Sequence, residues 1–301
     1  MTISVIIPTY NGAHKVTKAL QALAQQTIQD FEVIVVVDGS TDDTTAILGR
    51  QGFGLRNLKV ISQPNGGRSV SRNRGAREAS GELLIFLDDD TRLIAPSLKM
   101  HHTHHQKYKN CFLVGNAPED FAQMKTDFQR YKAQLSRKWV EHLPADKPFM
   151  QQNLFLTAAN FSTPKALFWQ IDGFDERLTD AEDFDLGVRA FQKNIPIYFD
   201  KDNIAFHDDF ITCTTYLRRL EQYAKSHQKL LALKPDLYNT FNQYQPKPIH
   251  GWKRSIYYLF STAFWVWSID KWNWLKVFPQ KIRYKLYDII TTAHIQKRRN
   301  A

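Results

Sequence analysis

The sequence predicts an α/β fold with a mostly parallel central sheet flanked on both faces by helices. Short runs rich in Val, Ile and Leu alternate with helical stretches through the first third of the 301 residues. Those runs are almost continuously apolar, as strands buried on both faces must be. A third observation places the site: polar clusters fall at the carboxyl ends of these runs, the rim where open parallel sheets bind ligands.

The first strand is "ISVIIP", beginning at Ile3, and "GAHKVTKALQALAQQ" follows as a helix. "FEVIVVVD" precedes the helical "STDDTTAILGR", "LKVISQ" precedes "RSVSRNRGAREA", and "LLIFLD" is the fourth strand. Ser40, ahead of Asp42 and Asp43, reads as the second helix's N-cap with acids in the first turn. Residues 96–140 read as helical and polar with a short strand at "CFLVGN", residues 153–192 as mixed, and 213–233 as an amphipathic helix. Pro235, Pro246 and Pro248 among polar residues mark a linker near 234–250.

Composition is that of a globular protein, 43% hydrophobic and 23% charged, without repeats or low-complexity tracts. With the first strand at Ile3, no signal peptide is expected. Cys111 and Cys213 lack metal-type spacing and are expected as reduced thiols of a cytosolic protein. The net charge of +10 is concentrated in residues 250–301, where ten Lys or Arg face only Asp270 and Asp288, a net +8.

The chemistry centres on "LLIFLDDDTRL". An apolar strand running into Asp88, Asp89 and Asp90 places three like charges at the edge of a core, which is costly unless something offsets them. In an extended segment Asp88 and Asp90 project together while Asp89 points elsewhere. Two hard oxygen donors suit Mg²⁺ or Mn²⁺, which bind substrate phosphates as well; a solvated acidic turn is the structural alternative. In "VDGSTDDT", Asp38 at a strand end can accept hydrogen bonds from a nucleobase or ribose or serve a turn. In "NGGRSVSRNRGA", a Gly66-Gly67 turn precedes Arg68, Arg72 and Arg74, and guanidinium groups recognise phosphate bidentately.

Taken together, "VIIPTYNG", "VVVDGSTDDT", "GGRSVSRNRGA" and "LIFLDDDT" resemble, in order and spacing, the nucleotide-binding half of glycosyltransferase family 2, which has the Rossmann-like GT-A fold. "ANFSTPKALFWQIDGFDERLTDAEDFDLGVRA" (159–190) resembles the acceptor-side signature of the same family, so the likeness covers about residues 3–210. It implies a catalytic domain over 1–233, divided near 115 into nucleotide-binding and acceptor halves, and a linker and helical extension over 234–301. It further implies that Pro8, Thr9 and Tyr10 pack on the nucleobase, that Asp38 bonds the base, and that Arg72 lies near base and phosphates. Asp88 and Asp90 match the DxD metal acids, and Glu182 with Asp183 the ED pair, Asp183 being the general base. His207, in "NIAFHDD", falls where many relatives carry a metal-binding histidine; a structural histidine after a strand is the alternative. The reaction that the resemblance implies is metal-dependent inverting transfer from a nucleotide sugar, a UDP-sugar, to a glycan or lipid-linked acceptor, with Mn²⁺ or Mg²⁺ as cofactor.

Other features are read more plainly. "HHTHH" (101–105) reads as a solvated helix face, with weak chelation by His101 and His104 or His105 as the alternative. Asp175, Glu176 and Asp180 are acceptor contacts or capping residues. The tail holds five of the seven tryptophans, and its longest uncharged stretch, 255–269, falls short of the roughly 20 residues that span a bilayer. Trp and Tyr flanked by Lys and Arg suit an anionic membrane surface on the cytoplasmic side; a helical hairpin packed on the catalytic domain is the alternative. A haloacid-dehalogenase-type phosphohydrolase would need Thr or Val where Arg92 stands. A nucleic-acid-binding protein would explain the tail but not the acids, so nucleic acid is not an expected partner.

Overall fold

The computed structural model describes residues 1–50, 53–236, 241 and 253–299. The expected linker falls for the most part outside the described residues, as do Pro246, Pro248 and Trp252. The chain divides into two compact units, residues 1–120 with 137–209, and residues 121–136 with 210–301.

The first unit is built on one sheet of eight strands, ordered β3-β2-β1-β4-β7-β6-β8-β5. β1 (Ile3–Thr9), β2 (Phe31–Asp38), β3 (Leu58–Gln63) and β4 (Leu83–Leu87) pair in parallel, as their apolar runs predict. β7 (Asn160–Pro164) then runs antiparallel to β4 and to β6 (Phe112–Asn116). β8 (Ile197–His207) lies parallel to β6, and the short β5 (Thr91–Leu93) pairs antiparallel to it. The sheet is therefore mixed beyond β4. Its helices are α1 (Val16–Ala24), α2 (Thr44–Leu48), α3 (Arg68–Glu78), α4 (Ser97–Lys107), α6 (Lys165–Gln170) and α7 (Glu182–Gln192); α5 (Asp127–Val140) lies between α4 and α6 in the chain. β1, β2 and β4 are buried along nearly their whole length, which at roughly 1.5–3 kcal/mol per large apolar side chain makes this strand group the main source of stability.

Two expectations change. Ser40 does not cap α2: its hydroxyl accepts from the Asn11 amide, while Asp42 accepts from the Thr44 amide at 3.1 Å and from Ala13. An acid two residues closer to the helix reaches the free amides that Ser40 cannot. The histidines of α4 are neither a solvated face nor a chelate, because the sheet covers that side of the helix. His101 and His105 are fully buried; His101 bonds Ser162 (2.7 Å) and Asn160 (2.8 Å), and His105 bonds Ser162 (2.9 Å). His104 packs on Tyr108 and Tyr198. Helical spacing gave the shared face of His101 and His105, but not which way it pointed. Cys111 and Cys213 are free, buried thiols.

The second unit contains α8 (Cys213–Leu233), α9 (Lys253–Phe260), α10 (Ala263–Lys271) and α11 (Gln280–Arg299). Its core joins Phe128 and Tyr131 to Leu217, Ile269, Tyr287 and Ile290, so the tail helices pack on α8. Arg283 clamps Asp127 with bonds of 2.6 and 2.8 Å, and Tyr287 donates to the same carboxylate. No helix among the described residues is long and apolar enough to cross a membrane.

The buried histidines set an acid limit to stability. Burial pushes His101 down to about 4 and His105 down to about 3, so both stay neutral in the folded chain. The unfolded chain takes up protons near pH 6.5 and the folded one does not. Stability is thus full above pH 6.5 and falls as pH drops toward 4. Thermal unfolding between pH 7.5 and about 5 should show a falling midpoint, with a shallower slope in His105→Gln; an unchanged slope would remove this histidine from the account.

Candidate active site

The carboxyl rim of the sheet brings the acids together. β4 ends at Leu87, and Asp88 to Thr91 close a turn in which the Thr91 amide and hydroxyl bond the Asp88 carbonyl at 3.2 and 2.7 Å. The turn, rather than the extended segment expected, puts Asp88 and Asp90 together. The Asp208 amide bonds the Asp90 carbonyl at 2.8 Å, and Thr91 pairs with His207 across β5 and β8. Ligand atoms of Asp88, Asp90 and His207 consequently lie within 4.8 Å of one another. Asp90 Oδ1 stands 3.4 Å from His207 Nε2, and Lys15 Nζ lies 3.5 Å from its other oxygen. Two carboxylates and an imidazole, close enough to share one ion and still partly open, fit a hard divalent cation.

Asp89 faces the opposite way. It accepts from Thr9 Oγ1 at 2.6 Å, tying the end of β1 to the end of β4. Gly12 is required beside this bond, since a Cβ there would meet both Thr9 and Asp89. Burial, with help from the charge of Asp90 and against the Thr9 bond, pushes the Asp89 carboxyl up to about 6.

Arg72, on α3, is 3% exposed and lies between two acids. One terminal nitrogen bonds Asp88 and the other bonds Glu182, each at 2.7 Å, and the guanidinium lies 5.5 Å from the Phe174 ring. Burial pushes Asp88 up, but the charges of Arg72, Arg68 and His207 outweigh it and hold the carboxyl below its ordinary range. Glu182 and Asp183 open α7, where the helix dipole favours carboxylates. Asp183 accepts from the Phe184 amide at 2.7 Å. Desolvation and the neighbouring charge of Glu182 raise it to about 7, against the pull of Arg72.

The residues of "VIIPTYNG" and "VVVDGSTDDT" line the ends of β1 and β2. Pro8 and Thr9 are buried in β1, and Tyr10 is 53% exposed beyond them. Asp38 is buried, and its carboxylate accepts from the Gly66 and Gly67 amides (2.9 and 2.8 Å) and from Gln63 Nε2 (2.8 Å). It therefore holds the turn that opens α3, in which Gly67 takes φ +88°. Arg68 is exposed and paired to Asp180 at 3.1 Å; Arg74 pairs with Glu78. Asp175 pairs with Arg177, and Glu176 accepts from Asn73 and Arg77.

Residues not singled out in the motifs hold the loop at 173–178. Asn73 is buried and exchanges two hydrogen bonds with the Phe174 backbone, at 2.8 and 3.0 Å. Ser69 donates to the Leu178 carbonyl at 2.8 Å, and Arg189 reaches the Gly173 carbonyl at 2.7 Å. Asn73 and Ser69 both lie in the quoted "GGRSVSRNRGA", but with nothing to set them apart from surface polar residues of a helix.

The parallel strands β1–β4, with an acidic cluster at their carboxyl rim, place the chain among α/β proteins whose site lies beyond the strand ends. The profile of glycosyl transferase family 2 matches residues 4–171, and the chain belongs to that family. A validoxylamine A glucosyltransferase of Streptomyces hygroscopicus subsp. jinggangensis is 32% identical over 238 residues, 67% of this chain and 54% of that protein. A GalNAc(5)-diNAcBac-PP-undecaprenol beta-1,3-glucosyltransferase of Campylobacter jejuni is 31% identical over 129 residues, 40% of this chain and 42% of that one. The chain spans about half the length of these curated relatives. Among solved structures, S. aureus TarS 1-349 in complex with UDP matches with a TM-score of 0.57 at 21% identity, covering 100% of this chain and 92% of that one. A mannosyltransferase of Pyrobaculum calidifontis, in complex with GDP-Man and Mn²⁺, matches at 0.59 and 15% identity, over 98% and 86%. These structural likenesses show the fold, which is the GT-A arrangement expected from the sequence.

Arg72→Met removes the charge between two acids and leaves Glu182 buried beside an apolar chain. Breaking a buried pair in this way costs about 3–5 kcal/mol. Chemical denaturation should show that loss, with Arg72→Lys losing less; a loss below about 1 kcal/mol, the range of exposed pairs, would make the pairing incidental.

Proposed function

We propose that this chain is a metal-dependent inverting glycosyltransferase that takes a sugar from a UDP-sugar donor and passes it to a glycan or lipid-linked acceptor. The observation that carries the reading is the meeting of Asp88, Asp90 and His207 within 4.8 Å, with Asp183 raised to about 7 in the same acidic neighbourhood. The UDP complex of TarS and the undecaprenol-linked glycan in the Campylobacter relative's name support the donor and acceptor classes. The acceptor class fits the assembly of a surface polysaccharide or another glycoconjugate, on the inner face of the cell membrane.

Asp183 takes the proton of the acceptor hydroxyl as its oxygen attacks the anomeric carbon. The bond from that carbon to the phosphate oxygen breaks on the opposite side, the nucleoside diphosphate leaves, and the anomeric configuration inverts. Positive charge grows on the sugar as the bond stretches. A divalent cation held by Asp88, Asp90 and His207 would neutralise the charge that grows on the departing diphosphate. Arg72 and Glu182 act as positioning residues, fixing Asp88 and the start of α7. Tyr10 offers an exposed ring face to the base, Pro8 and Thr9 set its place, and Asp38 shapes the base's rim through the Gly66-Gly67 turn.

A panel of nucleotide sugars with Mn²⁺ or Mg²⁺, read by turnover and by thermal stabilisation, tests this. One UDP-sugar should be turned over and should raise the midpoint only with metal; stabilisation by none of the panel would refute the reading. Asp183→Asn should keep donor affinity and lower turnover about 10²–10⁴-fold. Because the base must be ionised, kcat/KM should fall tenfold per pH unit on the acid side of about 7, and this limb should vanish in the variant. Near-normal turnover in Asp183→Asn would assign the base elsewhere.

A further inference from the structure

From the end of α10 to the start of α11, residues 271–282 expose aromatic, aliphatic and lysine side chains, while Asn273 and Leu275 among them turn inward. Trp272 is 74% exposed, Val277 76% and Ile282 51%, and Trp274 and Phe278 are exposed beside them. Phe264 and Trp267, one turn apart on α10, extend the same surface, since the Trp267 ring meets that of Trp272 at 4.8 Å. Scattered exposed apolar residues need no explanation, but a contiguous patch of this kind does.

Along residues 271–287 the charge has one sign. Lys271, Lys276, Lys281 and Lys285 are all exposed. Asp270, the nearest acid, is turned into the unit: it accepts from the Cys213 and Thr214 amides at 2.7 and 2.9 Å and caps α8. No further acid follows until Asp288, which accepts from the Tyr131 hydroxyl. The two acids of the tail are thus engaged with the unit's own groups, and the exposed stretch between them is cationic and apolar.

We propose that residues 271–282, with Phe264 and Trp267, form a docking face that settles at headgroup depth in an anionic membrane. Indole and phenyl rings fill the layer between headgroups and acyl chains, Val277 and Ile282 enter below it, and the lysines meet lipid phosphates. No described helix can span a bilayer, so the contact lies in the plane of the surface. A second copy of the chain fits poorly, because a two-fold interface lays the patch on itself and sets lysine against lysine. This deepens the membrane partner read from the sequence and is independent of the catalytic assignment.

The full chain is tested by co-sedimentation with vesicles of phosphatidylcholine alone and of phosphatidylcholine with phosphatidylglycerol, and by tryptophan emission on adding them. Binding and a blue shift are expected with the anionic vesicles, weakening with salt. Lys276→Gln and Lys281→Gln should each lower the partition coefficient about fivefold. The combined Trp272→Ser, Val277→Ser and Phe278→Ser variant should lose binding while keeping its unfolding midpoint. Failure of the native chain to bind anionic vesicles overturns the proposal. So does a patch variant that binds lipid as the native chain does, a native dimer dissolved by the patch variant without lipid binding, or binding to an oligonucleotide alone. Donor stabilisation measured on the same samples reports separately on the catalytic reading.

Discussion

Arg72 has both terminal nitrogens committed, one to Asp88 at the end of β4 and one to Glu182 at the start of α7, so a single planar group sets the spacing between the acidic turn and the helix that carries Asp183. Its position on α3 follows from the Gly66-Gly67 turn, which Asp38 fixes with two amide hydrogen bonds. The chain of contacts therefore runs from the end of β2 through the turn and α3 to both acidic elements. A lysine could satisfy one of the two acids at a time; only a guanidinium presents two parallel donor positions in a rigid fork. Burial makes that pairing costly to break and also costly to build, which is why the site depends on it more than its surface area would suggest.

The same chemical group occupies three electrostatic environments within this site. Asp88 is held ionised by cationic neighbours, whereas Asp89 and Asp183 are pushed toward the neutral form by burial and by other carboxylates. The crowding of like charge evident in the sequence is thus relieved unevenly: one acid by an arginine, one by facing a threonine hydroxyl, one by a shifted titration. A cation shared by Asp88 and Asp90 would relieve what remains. Such separation of titrating groups by environment is what acid and base roles in one site require.

The strands and the rim were legible because burial on both faces writes itself as continuous Val/Ile/Leu runs, and because polar residues at strand ends have few other reasons to recur. The cluster of Asp88, Asp89 and Asp90 was legible from the strand that precedes it. That His207 joins them was visible only through the family resemblance, since 117 positions separate it from Asp90 and the pairing of β5 with β8 closes the gap. Arg72 was expected near the phosphates; its burial between two acids was not legible, because a sequence does not show which side of α3 is covered. The histidines of α4 were misread for the same reason. Asn73 and Ser69 left no signal, as their function is to bond backbone groups a hundred positions away, and backbone groups have no letter.

The second unit sorts its residues by the same competition between burial and charge. Tyr287 and Ile290 on α11 turn inward, and Asp127 holds that helix through Arg283 and Tyr287. Fixing Arg283 inward leaves Lys281, Ile282 and Lys285 on the outer side, where lysine stems can lie along apolar surface while their ammonium groups stay in a polar layer. On α10 the buried Val266 and Ile269 alternate with exposed Phe264 and Trp267, so one helix spends its apolar residues in two directions. A tail that served only to cover the α8 core would need one apolar stripe. The second stripe, cationic at its margins, has no partner within the described residues of its own unit, and its chemistry is that of a bilayer's interfacial layer.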